Sequence, residues 1–423
     1  MKRAMALAAV LTMCIGVTSF IGGQGDTRTG NQSDVYAVTY NPYGDVNWGT
    51  VNKLKSQTHD HIDSHGDTFA TGYDDAGYDA MSWSHYSGCY PLTATASCTG
   101  WCNGRRWPAE TNGLTNAPAI SGMTNLVLYT PGSEECGVLD DATLPNPGPY
   151  LIRHMFSLFM TDYLEGEGCA TCGTGANAGL PVAQNPDGIP ASDIYHTEGE
   201  LITMIKARGG FAVLNHSTRP FSEAATTHAA IDGFEVYTNF YALRDEFNGD
   251  TVFGDAIIEH WDNFLGINPR IWGFAVNDHY GPSTAIAGAS SPVGAITTAT
   301  RDRGYITVLS TGTDDLTAYE AAVRAGAFFA VEDVVFPKDG GPDITDISVA
   351  DGTITITTAA ADETITWYAN GTTSVGTGVA LDLSALGADT YTYVRAEVVD
   401  AESRRVWVQP FTIQKPGQVR LVP

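Results

Sequence analysis

Between residues 50 and 310, apolar runs of a few residues repeatedly stop at a side chain that can hold a cation or move a proton. Thr50–Lys55 leads into Gln57-Thr58-His59-Asp60-His61-Ile62-Asp63-Ser64-His65-Gly66-Asp67. Gly77–Trp83 reaches His85, and Asn125–Tyr129 reaches Pro131-Gly132-Ser133-Glu134-Glu135. Phe211–Leu214 ends at Asn215-His216, and Ile271–Val276 at Asn277-Asp278-His279. Short apolar runs bounded by turn residues read as buried strands. Helical spacing intervenes over Thr197–Arg208, which stops at Gly209-Gly210, over Ile257–Leu265, and over Asp315–Arg324, closed by Gly326. Strand, polar end, loop and helix in alternation predict an α/β fold with a parallel sheet, most simply a barrel. In such barrels the C-terminal ends of the strands carry the chemistry.

His59 and His61 are two residues apart, so a strand would put both imidazoles on one face. Neutral imidazole nitrogens on one face at a strand end can share a metal ion. An H-x-H pair alone more often describes solvated loop histidines than a metal site, and its weight comes from the other strand ends. His154 lies in the apolar run Leu151–Phe159, where a histidine is ordinarily a satisfied core residue. Glu235 sits inside the strand Ile231–Tyr237 and is read as supporting the site or the fold rather than binding metal.

The chain has 423 residues and a net charge of −26, with Lys and Arg 22 against Asp and Glu 48. Charged residues make up only 17%, below the usual ~25%. The acidity therefore reflects scarce basic residues, which argues against nucleic-acid or anionic-membrane partners. Lys2 and Arg3 precede an apolar run from Ala4 to Ile21 and then Gly22, Gly23 and Gly25, the pattern of a secretory signal over residues 1–25. No later stretch is long and apolar enough to span a bilayer, so the expected location is secreted, periplasmic or extracellular. Cys14 falls within that signal. Cys89, Cys98, Cys102, Cys136, Cys169 and Cys172 remain, an even number that suits disulfides in an exported chain. A zinc site on Cys98, Cys102, Cys169 and Cys172 is the competing reading. Residues 86–117 and 164–190 read as loop insertions at the mouth of the site.

Past Asp339-Gly340-Gly341-Pro342 the helical spacing disappears. Residues 343–415 alternate in short Thr- and Val-rich runs and contain no histidine. They predict a small all-β, sandwich-like module of about seven strands. The expected division is a signal (1–25), a metallohydrolase barrel (26–340) and this module (341–423).

Together these residues resemble the polymerase and histidinol phosphatase (PHP) superfamily of metal-dependent hydrolases, and in particular secreted members with an Asn-Pro-Tyr…Trp lead-in, here Asn41-Pro42-Tyr43 and Trp48. The resemblance covers roughly residues 40–335. It implies a distorted (β/α)7 barrel with two or three divalent metals (Zn, Mn or Fe) at the rim. The family's H-x-H looks like His59 and His61. Its Ser-Asp-Gly turn looks like Ser64-His65-Gly66, with Asp67 an alternative ligand to His65. Gly77-Tyr78-Asp79…Ser84-His85 stands where the family has an acid before the histidine. The bridging carboxylate of Pro-Gly-x-Glu is similar to Glu134, with Glu135 beside it. His154 and His216 take the next ligand slots, and Asp278-His279 stands for the Asp-x-His pair, one residue short. Seven of the ten histidines thus fall at ligand slots, which joins weak motifs into one pattern. The implied first metal takes His59, His61, Glu134 and Asp278. The second takes Glu134, His154 and His216, and the third takes His65, His85 and His279. The implied reaction is metal-assisted hydrolysis of a small phosphate ester, with Asp278 accepting a proton and Arg219 binding the substrate anion. Carboxylic or carbamate ester hydrolysis on the same site, and a non-catalytic metal-holding module, are the alternatives.

Overall fold

The computed structural model describes residues 35–59, 73–82, 85–86, 123–130, 132–138, 152–159, 198–215, 229–239, 242, 254–278, 303–333, 341–387 and 390–415. All of them belong to one compact unit, residues 35–423. The residues of the signal, of the two loop insertions apart from Tyr86, which ends a strand, and of every cysteine but Cys136 lie outside this description. Among the described residues, no helix is long and apolar enough to cross a membrane.

The first strands are β1 (Ala37–Tyr40), β2 (Asn52–Gln57), β3 (Ala80–Ser82), β4 (His85–Tyr86) and β5 (Leu128–Thr130). Then come β6 (Gly132–Val138), β7 (Ile152–Leu158), α1 (Glu198–Ala207), β8 (Phe211–Leu214), β9 (Gly233–Thr238), α2 (Gly254–Ile267) and β10 (Trp272–Val276). β11 (Gly304–Ser310), α3 (Leu316–Ala325) and β12 (Phe328–Glu332) follow. The rest is β13 (Ile344–Ala350), β14 (Thr353–Thr358), β15 (Thr364–Tyr368), β16 (Ser374–Thr377), β17 (Ala380–Asp382), β18 (Tyr393–Val399) and β19 (Arg405–Gln414).

Among the described residues, the strands form three sheets. One has ten strands in the order β16-β15-β18-β19-β12-β11-β2-β3-β5, with β1 also on β19. The second has six, β10-β9-β8-β7-β6-β4, and the third three, β13-β14-β17. β2 illustrates the local logic. Leu54 and Ser56 point inward while Lys53 is exposed, the period-two pattern of a strand with one buried face. The six-stranded sheet is buried on both faces along β8 and β10, so these two strands read as unbroken apolar runs. One face, with Phe156, Phe211, Val213 and Phe274, joins the core of the ten-stranded sheet through Ile306, Val308 and Phe328. The other, with Met155, Leu214 and Phe234, is covered by Leu201, Ile202 and Ile205 of α1 and by Ile257, Trp261, Phe264 and Leu265 of α2. Those spacings of three and four residues make the apolar stripe that a packed helix needs. The two sheets are also pinned by a buried amide. Gln409 Nε2 donates to Gly273 O at 2.8 Å and Gln409 Oε1 accepts from Gly273 N at 2.8 Å.

The expected (β/α)7 barrel is not what forms. Strands dominate, and much of the pairing is antiparallel: β6 with β7, β7 with β8, β11 with both β2 and β12, and β12 with β19. Among the described residues, parallel pairing joins β2-β3-β5, β8-β9-β10 and β4-β6. α3 shows the physical reason. A barrel needs each helix to carry the chain across to a parallel neighbour. Here the Asp315 carboxylate caps the start of α3 by accepting from Thr317 and Ala318. Gly326, at φ 76°, stops it and turns the chain directly into β12, antiparallel beside β11. A helix between two strands thus closes a return rather than a crossover.

Asp74 organises the entry to β5. Its Oδ1 accepts backbone N–H groups from Thr124 (3.0 Å), Asn125 (2.6 Å) and Leu126 (2.8 Å). Burial pushes this carboxyl up, but the N–H groups of Leu126, Asn125 and Thr124 outweigh it and hold its pKa below the ordinary value. A pKa lowered on folding stabilises above the unfolded value and is lost as pH falls through the folded one. Asp74→Asn is therefore expected to cost about 2 kcal/mol at pH 7. In urea unfolding, the gap between wild type and variant should shrink toward zero as pH falls below the normal aspartate range. A gap that persists at pH 2 would show that the charge is not what holds the segment.

Candidate functional site

Two strand ends from different sheets meet at His59 and Asp278. The backbone N–H of Asp278, just past β10, donates to His59 O, just past β2, at 3.0 Å. Asp278 takes φ 54°, a left-handed conformation unusual for a residue with a side chain. Such a conformation persists only where its surroundings fix it, and here they are polar and buried. Asn277 Oδ1 accepts from Gly304 N at 3.1 Å, and Asn277 Nδ2 donates to Tyr73 OH at 3.1 Å. Gln57 Nε2 donates to Gly304 O at 2.9 Å, while Gln57 Oε1 accepts from the N–H groups of Thr58 and His59 at 3.0 and 3.1 Å. Gln57 and Asn277 thus fix both strand ends against the start of β11.

The His59 side chain is fully buried between two carboxylates. Its Nδ1 lies 2.6 Å from Glu235 Oε1, and its Nε2 lies 3.5 Å from Asp278 Oδ1. Glu235 projects from the middle of β9, and its other oxygen accepts from Thr238 Oγ1 at 3.0 Å. The Phe156 ring packs against the imidazole with centroids 5.4 Å apart. His154 is two residues earlier on β7, hence on the same face as Phe156. Its carbonyl accepts from Asn215 N at 2.9 Å, and Asn215 Oδ1 accepts from Phe156 N at 2.7 Å.

The donors fit a divalent cation. A carboxylate accepts rather than donates, so with Nδ1–H turned to Glu235 the ring would present its Nε2 lone pair toward Asp278. Two lone-pair donors 3.5 Å apart match the separation of about 3.4 Å between tetrahedral ligands with bonds of ~2.1 Å. Among the described residues, no three His, Cys, Asp or Glu side chains form a complete cage. The structure brings His59 and Asp278 together and places His154 on the adjoining face. Glu134 and His85 are described by backbone only. Glu134 pairs with Phe156 across β6 and β7, and His85 with Ser133 across β4 and β6. His61, His65, Asp67, His216, Arg219 and His279 lie outside the described residues. Sequence reasoning gave Glu235 no contact with His59 and missed the roles of Gln57, Asn277 and Thr238. A carboxylate inside a strand buried on both faces was the available signal, because such a charge demands a partner.

No family model matches the chain, and no curated protein matches it. Among solved structures, it is similar to a crystal structure of a protein from Bifidobacterium adolescentis that carries the provisional name metal-dependent phosphoesterase. That likeness has 13% identity and a TM-score of 0.32, and covers 58% of this chain and 93% of the other.

Proposed function

We propose that this chain is a metal-dependent hydrolase acting on small phosphate esters, with His59 and Asp278 in its metal site. The observation that carries the reading is the buried row Glu235–His59–Asp278, with contacts of 2.6 and 3.5 Å. A divalent cation held there supplies the Lewis acidity that makes water a nucleophile near neutral pH. His59 offers Nε2, and Asp278 offers one oxygen and keeps a second that can accept a proton from the attacking water. The Phe156 ring keeps water from one face of the imidazole, which strengthens the charge interactions around it. His61, His65, Asp67, His85, Glu134, His154, His216 and His279 are the proposed further ligands, and Arg219 the proposed partner of the substrate anion, on the strength of their sequence positions.

The test is metal content of the purified protein, with turnover of an aryl phosphomonoester, an aryl phosphodiester and an aryl carboxylic ester on the same sample. Bound divalent metal and phosphoesterase turnover are expected. His59→Ala and Asp278→Asn should each lower turnover by about a hundredfold or more. Turnover of the carboxylic ester alone would replace the substrate class. Metal without turnover of any of the three would favour a metal-holding binding module, and a wild-type protein that takes up no metal would overturn the site.

A further inference from the structure

We propose that Glu235 is a positioning residue that fixes the tautomer and the aim of His59. The inference rests on the metal-site reading above and extends it to a residue that touches neither substrate nor metal. A neutral imidazole can carry its proton on either nitrogen, and only the bare nitrogen can bind a cation. At 2.6 Å from Nδ1, the Glu235 carboxylate accepts that proton's hydrogen bond and leaves Nε2 bare, facing Asp278. The carboxylate is itself aimed. Thr238 Oγ1 holds Oε2 at 3.0 Å, and β9 is buried along its whole length, so the side chain has little room to turn. A histidine ligand tied through its far nitrogen to a carboxylate is more basic and better oriented than a loose one.

Three features make this more than the pairing of a buried charge. Glu235 lies on the neighbouring sheet, not on β2, so the contact ties the two sheets at the site itself. Oε1 meets His59 Nδ1, while Oε2 accepts from Thr238 Oγ1. Asp278 then faces the remaining nitrogen rather than competing for the same one.

The experiment uses the full chain with 15N-labelled histidine. The metal-free protein is observed by 15N NMR, with the His59 signal identified by its loss in His59→Gln. Zn2+ and Mn2+ are then titrated in separate samples. In the wild type, His59 is expected as the Nδ1–H tautomer. In Glu235→Leu that tautomer should give way to Nε2–H, and metal affinity should fall about 10- to 100-fold. Glu235→Asp, which keeps a carboxylate on a shorter stem, should restore part of both. Thr238→Val, close in shape, keeps the carboxylate and is the variant to read if Glu235→Leu does not fold. It should retain the Nδ1–H tautomer but weaken metal binding a few-fold. An unchanged His59 tautomer in Glu235→Leu, or unchanged affinity in Thr238→Val with Glu235→Leu unfolded, overturns the proposal. If the wild type binds neither ion, the metal reading fails, and the tautomer comparison still decides whether Glu235 positions His59.

Discussion

Asp262→Asn is expected to destabilise the fold by about 3–5 kcal/mol, the cost of leaving one member of a buried ion pair without its counter-charge. Arg395 on β18 is fully buried, and Asp262 on α2 nearly so. The guanidinium grips the carboxylate with two bonds, Nε to Oδ1 at 2.8 Å and Nη2 to Oδ2 at 2.7 Å. Its remaining arm, Nη1, reaches Glu397 at 2.9 Å, and the Tyr393 hydroxyl donates to Asp262 Oδ1 at 2.7 Å. The cation also lies over the Tyr368 ring, 4.5 Å from its centroid. Burial alone would favour losing the proton, but the bonds and charge of Asp262 and Glu397 raise the guanidinium pKa instead. The pair is the polar tie between α2, which covers the outer face of the six-stranded sheet, and the C-terminal strands. Asparagine keeps the shape but removes the charge, so the loss reports the charge pair and not a cavity. Arg395→Met with Asp262→Leu should cost less than Asp262→Asn alone, since it removes the buried cation along with its partner and Glu397, at the edge of the cluster, keeps Arg405 at 4.0 Å. Guanidinium unfolding curves for the three proteins measure this. A single-variant loss under 1 kcal/mol would mean that solvent reaches the pair.

How far the sequence disclosed this molecule depends on the distance over which each feature is determined. Helices α1, α2 and α3 were legible because apolar spacing, an Asp cap and glycine stops are local signals. The apolar runs of β8 and β10 were legible for the same reason. Pairing direction was not, because Phe211–Leu214 reads alike whether its neighbour runs parallel (β9) or antiparallel (β7). The inference from alternation to a closed barrel failed at that step. β12 escaped notice because it follows Gly326 with almost no loop to announce it. At the site, His59 and Asp278 stood out as chemistry at strand ends. Glu235 was read as supporting the site or the fold but was given no partner, since that partner is 176 residues away. The left-handed turn at Asp278 has only the weak local signal of an aspartate, and the groups that hold its neighbour Asn277 (Gln57, Tyr73 and Gly304) come from distant parts of the chain.

Gly304→Ala should damage both fold and site, and Gly266→Ala should damage neither. A Cβ on Gly304 would stand 2.2 Å from the Val276 carbonyl oxygen and 2.7 Å from its carbon. Those are backbone atoms, so no rotamer relieves the clash, and β10 and β11 must move apart. Overpacking of this kind costs about 3 kcal/mol. The same displacement reaches the chemistry, because Gly304 N–H holds Asn277 Oδ1 and Gly304 O holds the Gln57 amide. Those two side chains set the strand ends that carry Asp278 and His59. A shift of about 1 Å between reacting groups can cost a hundredfold in rate, so turnover should fall further than stability alone explains. Gly266 lies on the exposed side of α2 with nothing within 4 Å of its Cβ position, and alanine there should gain up to ~1 kcal/mol. Unfolding free energies and divalent-metal affinity of the two variants, measured well below their melting temperatures, separate the effects. If Gly304→Ala bound metal like the wild type while losing stability, the junction of β10 and β11 would serve the fold alone. Unchanged stability would mean that the two strands part without cost and that the close approach of their backbones does not position the site.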